Sequence, residues 1–210
     1  MYTHEKDFQI NITPEQALEL LRAGNQRFVN NLKANRNLLQ QVNETADGQY
    51  PFATILSCMD SRTSAELIFD QGLGDIFSIR IAGNILNYDI LGSMEYATNV
   101  VGSKLILVLG HTRCGAIAGA CDGAKMGHLT GLLDKIKPAL DQETTTLNGN
   151  RSSSNPDFVR KVTLLNVLNT LEQIRQSSPI IRQLEQENKI KLVAGIYDVT
   201  SGEVEILEER

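Results

Sequence analysis

Two hydrophobic rhythms divide this chain. From residue 51 onward, short continuous apolar runs alternate with helical patterns. PFATILSC at 51–58, DIFSIRIAGN at 75–84, KLILVLGH at 104–111 and KLVAGIYDV at 191–199 read as buried strands. Between them, AELIFDQG at 65–72 predicts a short helix ending in Gly72, and YDILGSMEYATNVVG at 88–102 a helix closed by Gly102. CGAIAGACDGAKM at 114–126 predicts a small-residue helix, and residues 156–176 and 178–188 two more. Polar 141–155 reads as a loop or frayed helix end, and SGEVEIL as a turn and a short edge strand.

The first 50 residues follow the helical rhythm instead. Residues 12–32 predict an amphipathic helix, with Thr13 as N-cap, Pro14 at the first helical position and Gln16 completing a capping box. Leu18, Leu20, Leu21 and Phe28 form its apolar stripe, and residues 33–50 predict a second helix and a loop. Strand–helix alternation with continuous apolar strands implies a central, mostly parallel β-sheet flanked by helices, an α/β fold. The expected organisation is one domain over 1–210: a helical arm at 1–50 and an α/β core at 51–210.

Composition narrows the function classes. The chain has 210 residues and a formal net charge of -5, with no block of Lys or Arg to attract nucleic acid or an anionic membrane. Its longest apolar runs are too short to span a bilayer. MYTHEKDFQI has no signal-like apolar segment. Three cysteines without a secretory context predict reduced thiols and a cytoplasmic location.

The candidate chemistry lies at strand ends, where α/β sheets place their sites. Cys58, Asp60 and Arg62 follow the first strand at i, i+2, i+4 spacing, which points three extended side chains the same way. His111 and Cys114 follow the third strand at i, i+3, which on a helix start shares one face. Two thiolates and an imidazole suit tetrahedral zinc and leave a fourth place for water or for Asp60. An Arg62 fork would hold Asp60 ionised beside that water; without the fork, Asp60 would close the metal as a fourth ligand. Cys121 reads as a small core residue, and His4 and His128 as surface or structural residues.

CMDSR at 58–62 followed by HTRC at 111–114 closely resembles the β-class carbonic anhydrases. The resemblance covers nearly the whole chain, through ALELLRAGNQRFV, PFATILSCMDSR, ELIFDQGLGD, RIAGN, GSMEYA, VLGHTRCGA and YDVTSGEVEIL in order. It implies a zinc lyase with one Zn2+ per subunit, held by Cys58, His111 and Cys114 beside an Asp60–Arg62 pair. It implies reversible hydration of carbon dioxide to bicarbonate and a proton by a zinc-bound hydroxide. By position, Gln49, Phe77, Ala82 and Tyr96 resemble substrate-pocket residues, with Gly83 and Asn84 shaping the loop beside the metal. Homodimers or homotetramers are implied, with the pocket at the subunit interface and a small molecule as the only other partner. A bicarbonate-inhibited subset has a tryptophan where this chain has Ile55, so the resemblance does not extend to that switch, although Arg80 resembles its anion-binding arginine. Two other readings of the same residues are a zinc-stabilised scaffold closed by Asp60, and a hydrolase for carbon disulfide or carbonyl sulfide on the same fold.

Overall fold

The computed structural model describes residues 4–146 and 149–207. The chain opens with α1 (Lys6–Asn11), which the hydrophobic pattern did not reveal, and α2 (Pro14–Val29). The predicted capping box starts α2: the Thr13 side chain accepts from the Gln16 amide, and the Thr13 amide donates to the Gln16 side chain. The second arm helix is α3 (Leu38–Glu44). There follow β1 (Ala53–Ser57), α4 (Ala65–Ile68), β2 (Ile76–Arg80), α5 (Tyr88–Glu95) and β3 (Leu105–His111). Then come α6 (Gly115–Cys121), α7 (Gly127–Asp134), α8 (Lys137–Gln142), α9 (Pro156–Ser177), α10 (Pro179–Gln186), β4 (Lys191–Tyr197) and β5 (Val204–Leu207).

Three predicted boundaries move. The second strand stops at Arg80, because Gly83 at φ 69° and Asn84 at φ 43° turn the RIAGN segment into a tight 3-10 turn. The AELIFDQG helix ends at Ile68 rather than Gly72, since Asp70 takes a left-handed φ of 45° to meet arm residues. The small-residue helix ends at Cys121, and two further short helices, α7 and α8, follow it before residue 143. The helix predicted over 88–102 continues past α5 as a π-helical turn over Tyr96–Val101 and ends at Gly102, as expected.

The described residues form a five-stranded sheet in the order β2-β1-β3-β4-β5. The first three pairings along it are parallel, and β5 runs antiparallel to β4. From β1 the chain crosses to β2 on one side and then to β3 on the other, so the order reverses between β1 and β3. Open α/β sheets form crevices at such a reversal.

Alternating residues of each strand serve opposite faces. Leu105, Leu107 and Leu109 pack with Leu18, Leu21 and Phe69 on the arm side. Ile106 and Val108 pack with Val167, Leu171 and Ile174 of α9 on the other. Gly110 permits that approach, since a Cβ there would lie 2.4 Å from Val167 Cγ2. On the arm side, buried Asn25 of α2 donates to the Ile68 and Gly202 carbonyls and accepts from the Val204 amide, joining the helix to α4 and to the β4–β5 turn.

A buried ion cluster fixes the arm to the core. Asp70 accepts from Arg27, Arg36 and the Ala34 amide. Burial raises the Asp70 pKa, but the two guanidinium groups and the amide outweigh it, and the net shift is downward. The group therefore stabilises the fold above the ordinary carboxylate range near pH 4, and that contribution is lost as pH falls through the lower folded value. Asp70→Asn leaves Arg36 buried beside a neutral partner and should cost about 3 kcal/mol. Urea unfolding should show that loss at pH 7, and a narrowing gap from the native chain below about pH 4.

Candidate metal centre

The parallel pairing of β1 with β3 sets Ser57 opposite Leu109, so the residues after β1 meet the last residues of β3. The ligand atoms of Cys58, His111 and Cys114 lie within 4.8 Å of one another, and all three residues are buried. The two sulfurs are 3.9 Å apart. That is far beyond a disulfide, and close to the ~3.8 Å separating two sulfurs on a tetrahedral zinc with ~2.3 Å bonds. His111 Nδ1 lies 3.0 Å from the Thr112 carbonyl, which can only accept, so Nδ1 carries the proton. Nε2 is left as the free lone pair, buried and without a hydrogen-bond partner among the described residues. A buried orphan imidazole nitrogen between two thiols fits zinc in donor type, spacing and tautomer.

The thiols tell the same story electrostatically. Cys58 is drawn down to about 4, first by its hydrogen bond with Cys114, against the opposing effect of burial. The Gly83 and Asp60 amides add to that pull. Cys114 is pushed strongly upward, first by Cys58 and then by burial. One negative charge is welcome and a second is resisted, which is the condition a divalent cation relieves. Half-buried Cys121 stands apart, its thiol raised to about 11 by burial, in keeping with a small core residue.

Asp60 sits at the open side. Arg62 grips it with Nε on one oxygen at 2.9 Å and an Nη on the other at 2.7 Å, and the Arg62 amide adds a third contact at 3.0 Å. These hydrogen bonds hold the carboxyl well below the usual range, and hence ionised. Its Oδ2 is 4.0 Å from His111 Nε2. Arg62 also donates to the Arg113 carbonyl, linking the two ligand loops. Arg80 donates to the Cys58 and Asp60 carbonyls, and the Thr63 hydroxyl donates to the same pair. The Arg80 guanidinium is thus engaged in bracing the loop. On the other side, the Thr112 hydroxyl donates to Asp198 at the end of β4.

Of the predicted pocket residues, the structure brings Gly83 to the cluster, with Ala82 adjacent to it in the same 3-10 turn. The Gly83 amide donates to Cys58 Sγ at 3.4 Å. A Cβ on Gly83 would meet Ile136 Cδ1 at 2.9 Å and Ala116 at 3.3 Å, at a left-handed φ. Asn84 is buried beside it. The apolar shell around the two thiols takes in Ile85, Ile117, Ile136 and Phe158, but not Phe77 or Tyr96. Phe77 lies within β2 opposite Thr54, and Tyr96 is exposed at the end of α5. Gln49 is exposed ahead of β1, at the strand end away from Cys58. A single chain therefore assembles the metal ligands and the carboxylate but does not gather Gln49, Phe77 and Tyr96 around them. A cavity of about 640 Å³ lies elsewhere, between α2 and the β4–β5 edge, and none of these residues lines it. His128 is exposed, and His4 is structural, its ring stacked on Phe8 at 3.9 Å. Thr63 and Asp198 were not singled out in the sequence, and only Thr63, close behind Asp60, carried a local signal; Gly83 was expected beside the metal, but not as a donor to Cys58.

This α/β fold, with a Cys-His-Cys cluster at its topological switch, is that of a β-class carbonic anhydrase. The family model described as carbonic anhydrase matches residues 53–204. Carbonic anhydrase 2 of Mycobacterium tuberculosis is 41% identical over 138 residues, 62% of this chain and 66% of that one, so the chain spans just under two thirds of that relative. The carbonic anhydrase of Mycolicibacterium smegmatis is 32% identical over 203 residues, 93% of this chain and 94% of that one. Among solved structures, a β-carbonic anhydrase of Aspergillus fumigatus superposes with a TM-score of 0.73 at 26% identity, covering 81% of each chain. Two β-carbonic anhydrases of Sordaria macrospora described as tetrameric are represented by a chain with a TM-score of 0.67 at 25% identity, covering 80% of this chain and 89% of that one. The chain belongs to the β-class carbonic anhydrases, a family of lyases.

Removing one sulfur should abolish the metal site. Cys58→Ser is expected to lose stoichiometric zinc, measured by elemental analysis after dialysis, and to unfold at lower temperature than the zinc-loaded native protein. Full zinc retention would strike Cys58 from the ligand set.

Proposed function

We propose that this chain catalyses the reversible hydration of carbon dioxide to bicarbonate and a proton, using one zinc ion per subunit held by Cys58, His111 and Cys114. The observation that carries this reading is the ionised, Arg62-forked Asp60 standing 4.0 Å from the ligand nitrogen of His111. Zinc, when bound, supplies Lewis acidity that brings the ionisation of a coordinated water close to neutral pH. Asp60 is acceptor-only, so it takes a hydrogen bond from the nucleophilic water and turns a lone pair towards the carbon of CO2. Arg62 spans both carboxylate oxygens and keeps Asp60 from swinging inward as a fourth ligand. That fork favours an open catalytic site over a closed structural one.

The small apolar substrate needs a dry pocket. We assign its walls to Ala82 and Gly83 of this chain, completed in an oligomer where Gln49, Phe77 and Tyr96 take part. Exposed apolar side chains support such pairing: Leu38, Leu39 and Val42 on α3, and Tyr88, Tyr96 and Val100 along α5 and its π-helical extension. The reading is of a homodimer or homotetramer in the cytoplasm, where the thiols stay reduced. No helix among the described residues is long and apolar enough to cross a membrane.

Stopped-flow CO2 hydration on zinc-loaded protein should give activity that rises between about pH 7 and 9, the range around the ionisation of a zinc-activated water. Asp60→Asn should keep its zinc and lose most of that activity. No turnover across the range with zinc bound would favour the closed scaffold. Sedimentation equilibrium should find a dimer or larger, and a monomer at all concentrations would remove the shared pocket.

A further inference from the structure

We infer that Asn166, on α9, is a positioning residue for the metal centre and sets the Cys58 sulfur through Gly83. The inference rests on the metal reading above but concerns a residue outside the ligand set. Asn166 is 3% exposed, and its Nδ2 donates to the Gly83 carbonyl at 2.9 Å. The amide of that same Gly83 donates to Cys58 Sγ at 3.4 Å. One side chain on a rigid helix of 22 residues thus holds the residue that holds the sulfur.

The local backbone explains why a support is needed. Gly83 and Asn84 are both left-handed, and such a conformation at a non-glycine residue persists only where its surroundings impose it. Two residues one turn apart on α9 do so: Asn166 holds the Gly83 carbonyl, and the Thr170 hydroxyl lies 3.4 Å from the Asn84 carbonyl. The grips are unequal. Asn166 controls the peptide next to the one that points at Cys58, whereas Thr170 acts one residue further on and at longer range. The same helix sends Phe158, Val159 and Val162 into the apolar shell around both thiols, so α9 is fixed relative to the cluster independently of Asn166.

A hydrogen bond to a thiolate withdraws charge from sulfur and tunes the metal it binds, and loss of outer-shell partners typically weakens metal affinity by about 10- to 100-fold. A bland alternative exists: the amide only satisfies a buried carbonyl and contributes to folding. The two differ in what the metal senses.

The test uses Co2+ as an optical probe and zinc competition with a chromophoric chelator, on the full chain and on Asn166→Leu, Asn166→Ser and Thr170→Val. Leu keeps the volume without the donor; Ser keeps polarity but is too short to reach, and serves if the Leu variant fails to fold. Asn166→Leu and Asn166→Ser should shift the thiolate-to-cobalt charge-transfer band to longer wavelength and weaken zinc binding by about 10-fold. Thr170→Val should leave the band in place. A lowered melting temperature with unchanged band and zinc affinity in both Asn166 variants would overturn the positioning role and leave a structural one. Failure of the native chain to bind either metal would instead overturn the metal reading beneath it.

Discussion

Two sulfur atoms 3.9 Å apart in an apolar shell cannot both carry charge unless a cation lies with them. Much of the surrounding architecture answers that constraint. The Gly83 and Asp60 amides stabilise charge on Cys58, and the Ala116 and Ile117 amides at the start of α6 partly offset the burial of Cys114. The His111 tautomer, fixed by the Thr112 carbonyl, contributes a lone pair and no further charge. The donor set and its charge balance suit a divalent ion, whose binding would relieve the repulsion that remains between the thiols.

The loop after β1 shows how this preorganisation is achieved. Arg62, Arg80 and Thr63 all direct donors at the carbonyls or carboxylate of residues 58–60. Two cationic side chains thus brace the segment bearing the ligand and the acceptor. Arg62 serves a second purpose, since its fork leaves Asp60 able to accept hydrogen bonds but not to wander. Charge balance, loop geometry and acid–base competence come from the same few hydrogen bonds.

Much of this was legible in the primary structure because it is local. The strands were continuous apolar runs, the start of α2 was a capping box, and Cys58, Asp60, Arg62, His111 and Cys114 stood at two strand ends. What escaped is what depends on distant contact or on backbone sign. RIAGN reads as strand by composition, yet Gly83 and Asn84 are left-handed under the grip of α9. Asn166 lies 83 residues from its partner and looks like any polar residue in a helix. Asp70 resembles a helix-end carboxylate, and only the fold shows it buried among Arg27, Arg36 and the Ala34 amide. Gln49, Phe77 and Tyr96 were placed by resemblance, and the single chain does not collect them.

The reversal of strand order between β1 and β3 has a kinetic side. Ligands from these two strands meet only after a long parallel crossover has closed, and such pairings are among the slowest steps a chain takes. A centre completed that late adds little to the speed of reaching the native state. With a metal bound, its effect would fall on the reverse step, since β1 and β3 could not part without first giving up the bonds between their ends. A loaded cluster would therefore act as a latch rather than a seed, bearing on how long the fold lasts, while the apolar strands bear on how it begins.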